Sequence, residues 1–115
     1  MRRTLSVPAI TPEVVAAFAE ATGDHNPLHT DPTAARAAGL DVVPAHGMLS
    51  MAFLARLLTD GWPLDGLASF HVRFTAMTPV GSAPTFTATT RPGPDCETVV
   101  DLEGRLEDGA VTVQG

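Results

Sequence analysis

The chain contains no lysine, and its seven basic residues are arginines that stand singly apart from Arg2 and Arg3. Proteins that bind nucleic acids present clustered basic side chains to the phosphates. Here the formal net charge is −6 and no basic stripe is present. The composition therefore excludes the usual electrostatic basis of nucleic-acid binding, and no nucleic-acid partner is predicted.

Long apolar runs and paired cysteines are also missing. No apolar stretch reaches the roughly 20 residues that a membrane-spanning helix needs, and residues 1–13 lack the apolar segment and cleavage site of a signal peptide. Cys96 is the only cysteine, so it has no partner for an intrachain disulfide. We therefore expect a cytoplasmic protein without a membrane partner. We interpret Cys96 as a small buried apolar residue rather than a reactive thiol.

Hydrophobic residues make up 44% of the chain, which is enough for one core, and we predict a single domain over residues 1–115. Three helices are indicated. The first follows Thr11 as N-cap and ends before Gly23, and the second is capped by Asp31. The third begins near Gly47 and is apolar nearly all round. We therefore expect this third helix to be enclosed rather than to lie on a surface.

The second half of the chain changes from helical to strand patterns. From residue 67 onward, apolar and polar residues alternate between breaks at Pro, Gly and Asp. A short strand is predicted near the start of the chain and an antiparallel meander of four strands near its end, in residues 3–10, 67–77, 83–92, 96–106 and 110–115. A sheet wrapped around one enclosed helix is an α+β fold.

The most unusual stretch is "ATGDHNPLHTDP", residues 21–32, which crowds ionisable and amide side chains around a proline. Its members with such side chains are Asp24, His25, Asn26, His29 and Asp31. From residue types alone this is either a well-capped turn or a reaction centre, because turns and acid–base sites use the same side chains.

Two motifs in this region resemble those of the MaoC-like family, the (R)-specific enoyl-CoA hydratases. The first is glycine–Asp–x–Asn–Pro–aliphatic–His, which the chain carries without a gap as Gly23, Asp24, Asn26, Pro27, Leu28 and His29. The second is the pair His46–Gly47 within "AHGMLSMAFLARLL". The resemblance covers about residues 12–77. It implies a hot-dog fold, in which a sheet wraps a central helix, and a homodimer.

The residues of these motifs fit the addition of water across an α,β-unsaturated thioester. That reaction needs a base for the water, an acid for Cα and a donor for the carbonyl oxygen. Asp24 and His29 lie five residues apart around a proline turn and form the candidate acid–base pair, with Asn26 to orient the water or a partner. Gly47 has no side chain, so a thioester oxygen can approach its N–H at the helix N-terminus. It is the candidate oxyanion donor.

Structural interpretations stand beside the catalytic ones. Asp24 and Asn26 can serve the loop through side-chain hydrogen bonds to its backbone, and Asp31 is read as a helix cap. His25 is expected to face solvent, and His46 to be a structural hydrogen-bonding residue. Imidazoles and carboxylates are also zinc ligands. Because the chain lacks a helical His-x-x-x-His pattern and a cysteine pair, we predict no metal and no cofactor.

One face of the third helix has two interpretations. Met51, Ala55 and Leu58 share this face at helical spacing. They either belong to the ordinary core or line a tunnel for an acyl chain and limit its length. We take them as candidate acyl-binding residues, because one face of a helix in a hot-dog fold can do both.

The favoured function is that of a lyase of fatty-acid or polyketide metabolism. It would hydrate trans-2-enoyl thioesters to (R)-3-hydroxyacyl thioesters or run the reverse dehydration, with coenzyme A or an acyl-carrier protein as carrier. A hot-dog thioesterase is the alternative, but such enzymes generally place a carboxylate on the central helix, and residues 47–59 contain no Asp or Glu. A third possibility is a non-catalytic acyl-binding or subunit-pairing module, against which the presence of Asp24 and His29 counts.

Overall fold

The computed structural model describes all residues, 1–115. The strands are β1 (Arg2–Ser6), β2 (Arg73–Phe74), β3 (Thr85–Pro92), β4 (Thr98–Arg105) and β5 (Val111–Gln114). The α-helices are α1 (Pro12–Thr22), α2 (Pro32–Ala37) and α3 (Gly47–Gly61). Short 3-10 turns lie at Pro27–His29, Leu64–Gly66 and Pro94–Cys96. None of these helices combines the length and the apolar character that a membrane crossing requires.

The helix ends follow the local chemistry of the sequence. Thr11 accepts a hydrogen bond from the Val14 N–H at 3.2 Å through its hydroxyl, which caps α1. Gly23 ends α1 in the left-handed region, at φ 76°. Asp31 accepts from the Thr33 N–H at 2.9 Å and caps α2. Both predicted ends of α1 and the predicted start of α2 are confirmed.

The strands form one antiparallel sheet in the order β1-β3-β4-β5-β2. The strands β3, β4 and β5 are the predicted meander. The prediction was wrong for β2, which has only two residues and pairs with β5 at the far edge. The edge of β3 is taken by β1, from Arg2 opposite Thr89 to Ser6 opposite Thr85. A four-strand meander in chain order is therefore impossible.

The core lies between α3 and one face of the sheet. Leu54 of α3 and Phe86 of β3 are both fully buried, and Val113 of β5 joins them in the same cluster. A second cluster ties α1 to the start of α3 through Val15 and Leu49. Burial of large apolar side chains contributes about 1.5–3 kcal/mol each, so these two clusters fix the position of α3 against the sheet and against α1.

The outer side of α3 is open in the single chain. Met48, Ala52 and Arg56 lie one turn apart and are exposed. The prediction of an enclosed helix is therefore met on the sheet side only, because one sheet covers one side of a helix.

The prediction that Cys96 is buried was wrong. Cys96 is exposed in the turn Pro94–Cys96 between β3 and β4. It and Asp95 both have positive φ, 63° and 53°. The alternating pattern predicted a strand from residue 96, but the strand starts two residues later, at Thr98. Cys96 therefore belongs to the turn and not to the sheet.

Candidate active site

Side-chain hydrogen bonds shape the loop that follows α1. The Asp24 carboxylate accepts from the Asn26 N–H at 3.3 Å, and the Asn26 side-chain oxygen accepts from the Leu28 N–H at 3.1 Å. Pro27 then begins a single 3-10 turn that ends at His29. These bonds satisfy backbone donors where no helix or strand can, and they direct the loop back toward the start of α3.

His29 is held in one tautomer by the backbone. Its Nδ1 lies 2.8 Å from the Pro44 carbonyl oxygen. A carbonyl oxygen only accepts, so Nδ1 carries the proton in this contact and donates it. The Nε2 of neutral His29 then has a free lone pair, which is the form that a general base requires.

His46 packs directly against His29. The two rings stack at a centroid distance of 4.0 Å, and Phe18 lies on the His46 ring at 5.0 Å. His46 is only 2% exposed. Its Nε2 donates to the Asp24 carbonyl oxygen at 3.2 Å and lies 3.9 Å from the Asp24 carboxylate. The predicted structural hydrogen-bonding role of His46 is consistent with this contact.

Asp24, His29 and His46 meet at one point. One ring nitrogen of each histidine and one carboxylate oxygen lie within 4.8 Å of one another. This set has the ligand types of a zinc site. The His29 Nδ1 and the His46 Nε2 each lie against a backbone carbonyl oxygen, so these two nitrogens carry protons and offer no lone pair to an ion. This geometry fits proton transfer better than tetrahedral coordination.

The third component is the backbone at the start of α3. Gly47 is the first residue of the helix and is exposed, and its N–H has no acceptor within the chain. The unpaired N–H groups at a helix N-terminus carry partial positive charge and favour an anion. The ring of Phe74 lies close above, because a Cβ added at Gly47 would be 3.3 Å from its Cε1. An oxygen that reaches this N–H therefore passes beside Phe74.

Two cavities differ in their relation to this cluster. The larger, about 660 Å³, lies at the other end of α3, and its apolar wall includes Leu58 and Trp62. The smaller, about 350 Å³, is lined by His29 together with Pro12 and Val80. The smaller cavity therefore contacts the cluster through His29 alone, the larger one does not contact it, and neither is lined by Asp24 or Gly47.

The other candidate residues lie in the loop after α1 and along α3. His25 faces solvent as expected, and Asn26 uses its side-chain oxygen within the loop. Met51 and Ala55 are half-buried along α3, whereas Leu58 is buried in the main core and also lines the larger cavity. The acyl-binding role of these three α3 residues stays a prediction.

Neither the position of Phe74 nor the contact between His46 and His29 was predicted from the sequence. Both arise from packing between distant segments. The only signal in the sequence was the adjacency of His46 to Gly47, which places an imidazole next to the candidate oxyanion donor.

A family profile described as a MaoC-like domain matches residues 2–108. The 3-hydroxyacyl-thioester dehydratase Z of Mycobacterium tuberculosis is 40% identical over 79 residues, which are 64% of this chain and 52% of that protein. The 3-hydroxyacyl-thioester dehydratase X of the same species is 47% identical over 65 residues, 56% of this chain and 22% of that protein. The chain spans about half or less of the length of these curated relatives.

The fold has a close counterpart among solved structures. An (R)-hydratase from A. caviae involved in PHA biosynthesis superposes with a TM-score of 0.82 at 26% identity. The match covers 100% of this chain and 89% of that one. The expected α+β hot-dog architecture, an antiparallel sheet packed on a central helix, is therefore confirmed.

Proposed function

The chain belongs to the MaoC-like dehydratase family, and from this premise we propose that it adds water to trans-2-enoyl thioesters to give (R)-3-hydroxyacyl thioesters, or catalyses the reverse dehydration. The observation that carries the proposal is the meeting of three groups at the start of α3. They are the Asp24 carboxylate and the His29 ring, which lie together with His46 in one cluster, and the Gly47 N–H, which directly follows His46 in the chain and has no acceptor within it.

In the hydration direction, His29 Nε2 takes a proton from water while the water oxygen bonds to Cβ of the enoyl group. The Asp24 carboxylate accepts a hydrogen bond from the second water O–H, whose hydrogen stays on the oxygen as the product hydroxyl, and stabilises the imidazolium that forms. The proton held by His29 then passes to Cα, so one water is consumed and both catalytic side chains return to their starting state. Asn26 is proposed to assist in orienting the water through its amide N–H₂, which the loop contacts leave free.

Charge moves onto the thioester oxygen as the Cβ–O bond forms. The Gly47 N–H is the proposed donor to that oxygen, and the positive end of the α3 dipole supports the same charge. Because the N–H has no acceptor in the chain, no internal hydrogen bond has to break for the oxygen to bind. Such prearranged donors are among the largest contributions to catalysis of this type.

The protein is proposed to act as a homodimer on an acyl thioester carried by coenzyme A or by an acyl-carrier protein. Support for a dimer comes from β2, whose outer edge is unpaired and whose Phe74 is exposed beside Gly47. A second copy placed along β2 would cover this edge and complete the wall of the cleft near the thioester.

A thioesterase function is less well supported. Helix α3 extends to Gly61, two residues beyond the segment 47–59 that lacks Asp and Glu, and so includes the carboxylate of Asp60. Asp60 is exposed and pairs with Arg56 at 3.5 Å. It lies 13 residues beyond Gly47, about 20 Å along the helix, so it cannot reach a carbonyl bound at the helix start.

The deciding experiment is incubation of the purified protein with crotonyl-CoA. The expected result is loss of the enoyl-thioester absorbance, with (R)-3-hydroxybutyryl-CoA as product and no release of free thiol. Free coenzyme A without a hydroxyacyl product would indicate a thioesterase instead. Binding without turnover of either kind would indicate the non-catalytic acyl-binding module.

A further inference from the structure

The segment before α3 is fastened at three successive residues. The Pro44 carbonyl accepts from His29, the Ala45 N–H donates to the Thr78 carbonyl at 2.7 Å, and the His46 Nε2–H donates to the Asp24 carbonyl at 3.2 Å. The outer two of these contacts reach the two members of the proposed acid–base pair. The segment therefore connects the loop after α1 to the helix that carries the oxyanion donor.

The burial of His46 is not explained by stability. Its Nδ1 is buried and has no hydrogen-bond partner, and an unpaired buried polar atom is destabilising. His46 occupies the N-cap position of α3, yet its side chain makes no capping hydrogen bond. A phenylalanine would keep the stacking against Phe18 and His29 without an unpaired nitrogen. What an imidazole adds at this position is the Nε2–H bond to the Asp24 backbone.

The backbone of His46 also sets the direction of the oxyanion donor. The peptide that joins His46 to Gly47 carries the Gly47 N–H, so its orientation depends on the ψ angle of His46, which is 132°. A ring held by His29 on one face and by Asp24 at its edge limits the rotation of this residue. The His46 side chain therefore contacts both residues of the proposed acid–base pair, and His46 directly precedes Gly47 in the chain.

We propose that His46 is a positioning residue that fixes the acid–base pair and the Gly47 N–H in one geometry through its hydrogen bond to the Asp24 carbonyl. The expected effect of His46 on turnover rests on the proposed function. Its expected effect on the positions of His29 and the Gly47 N–H does not. His46 does not exchange protons with the substrate. It acts by holding Asp24, His29 and the 46–47 peptide relative to one another.

Two substitutions separate the hydrogen bond from the ring. In His46→Gln, the side-chain amide N–H can replace the Nε2–H as donor to the Asp24 carbonyl, but the stacked ring is lost. In His46→Phe, the ring is retained and the donor is lost. The exposed His25 in the same loop provides a matched control as His25→Gln.

The first measurement needs no substrate. Amide and imidazole resonances of Gly47 and His29 are recorded by NMR in the four proteins, together with melting temperatures. We expect His46→Phe to melt at or above the wild-type temperature while its Gly47 amide and His29 ring resonances shift or broaden. The Gly47 amide resonance of His46→Gln and both resonances of His25→Gln are expected to stay near those of the wild type, whereas the His29 ring resonances of His46→Gln shift because the stacked ring is lost.

The second measurement is turnover of crotonyl-CoA. Misplacement of catalytic groups by about 1 Å costs up to roughly 100-fold, so we expect kcat of His46→Phe to fall about 10- to 100-fold, with KM changed less than about threefold. The His46→Gln variant should keep kcat within about threefold of the wild type.

Two outcomes would overturn the inference. One is a His46→Phe protein with wild-type kcat and an unshifted Gly47 amide resonance. The other is a loss of activity in both variants that follows their loss of folded protein, which would make His46 a packing residue only. If the wild type has no hydratase activity, the proposed function fails, and the NMR comparison alone still decides whether His46 positions these groups.

Discussion

At the scale of single residues, the proposed chemistry depends on which nitrogen of His29 carries a proton. The Pro44 carbonyl holds the proton on Nδ1 and leaves Nε2 as an acceptor. In many acid–base histidines a carboxylate has this orienting function. Here a backbone carbonyl does so, which leaves the Asp24 carboxylate, 51% exposed, available to the water.

The acid–base pair can be tested by Asp24→Asn and His29→Ala. Each is expected to lower kcat by at least about 100-fold, the scale for removing a positioned acid or base. Both proteins should melt near the wild-type temperature, since Asp24 is exposed and His29 only half-buried. Crotonyl-CoA turnover and thermal melts check this, with the exposed His25→Ala as control. Near-normal turnover in either variant would remove that residue from the mechanism.

At the scale of elements, the start of α3 combines helix formation with the proposed oxyanion role of Gly47. A glycine at this position leaves the N–H accessible, but it lowers helix stability relative to alanine. A side chain at position 47 would meet the Phe74 ring at 3.3 Å. That ring is 47% exposed and can move by the few tenths of an ångström required.

We therefore expect Gly47→Ala and Gly47→Val to separate stability from activity. Alanine should raise the stability slightly, by at most about 1 kcal/mol, while turnover falls because the methyl group crowds the approaching oxygen. Valine should be almost inactive, since loss of one oxyanion donor costs about 3–4 kcal/mol. Paired melts and turnover assays decide. A parallel fall of melting temperature and activity in both variants would assign Gly47 to packing.

The sheet offers a prediction that concerns stability alone. A Cβ at Gly104 of β4 would lie 2.7 Å from a Val113 methyl and 2.8 Å from the Phe86 ring, both fully buried. Overpacking of this kind costs about 1–3 kcal/mol, so Gly104→Ala should unfold at a lower denaturant concentration. Gly66→Ala is the matched control, because an added Cβ there meets nothing within 4 Å. Equal midpoints for the two variants would show that the core around Phe86 adapts freely.

At the scale of the whole molecule, the chain leaves surfaces that a second copy could cover. The outer edge of β2 is unpaired, and Phe74 and Met77 beside it are exposed. Unpaired strand edges favour pairing with another chain, and a domain of 115 residues buries a limited fraction of its surface by itself.

We expect a dimer formed along β2, with the cleft near Gly47 completed by the second copy. Light scattering should give twice the mass of the single chain at assay concentration. Specific activity should fall on dilution below the dissociation constant, because the monomer lacks one wall of the cleft. A monomer that is fully active at assay concentration would contradict this prediction.

Local chemistry was enough to place the helices and to single out the candidate site residues. The caps at Thr11 and Asp31 and the left-handed Gly23 act on backbone groups within four residues, so their effect is visible in the sequence. The spacing of Asp24 and His29 around Pro27 likewise depends on one turn. These features needed no knowledge of distant segments.

Tertiary packing decided the features that depend on partners far along the chain. The edge beside β3 went to β1, which left β2 short and at the opposite edge. The contact of His46 with Asp24 joins residues 22 positions apart, and Phe74 reaches Gly47 from the far edge of the sheet. Burial, strand order and side-chain stacking depend on which segments of the whole chain pack against the same surfaces. Local sequence patterns therefore do not predict them.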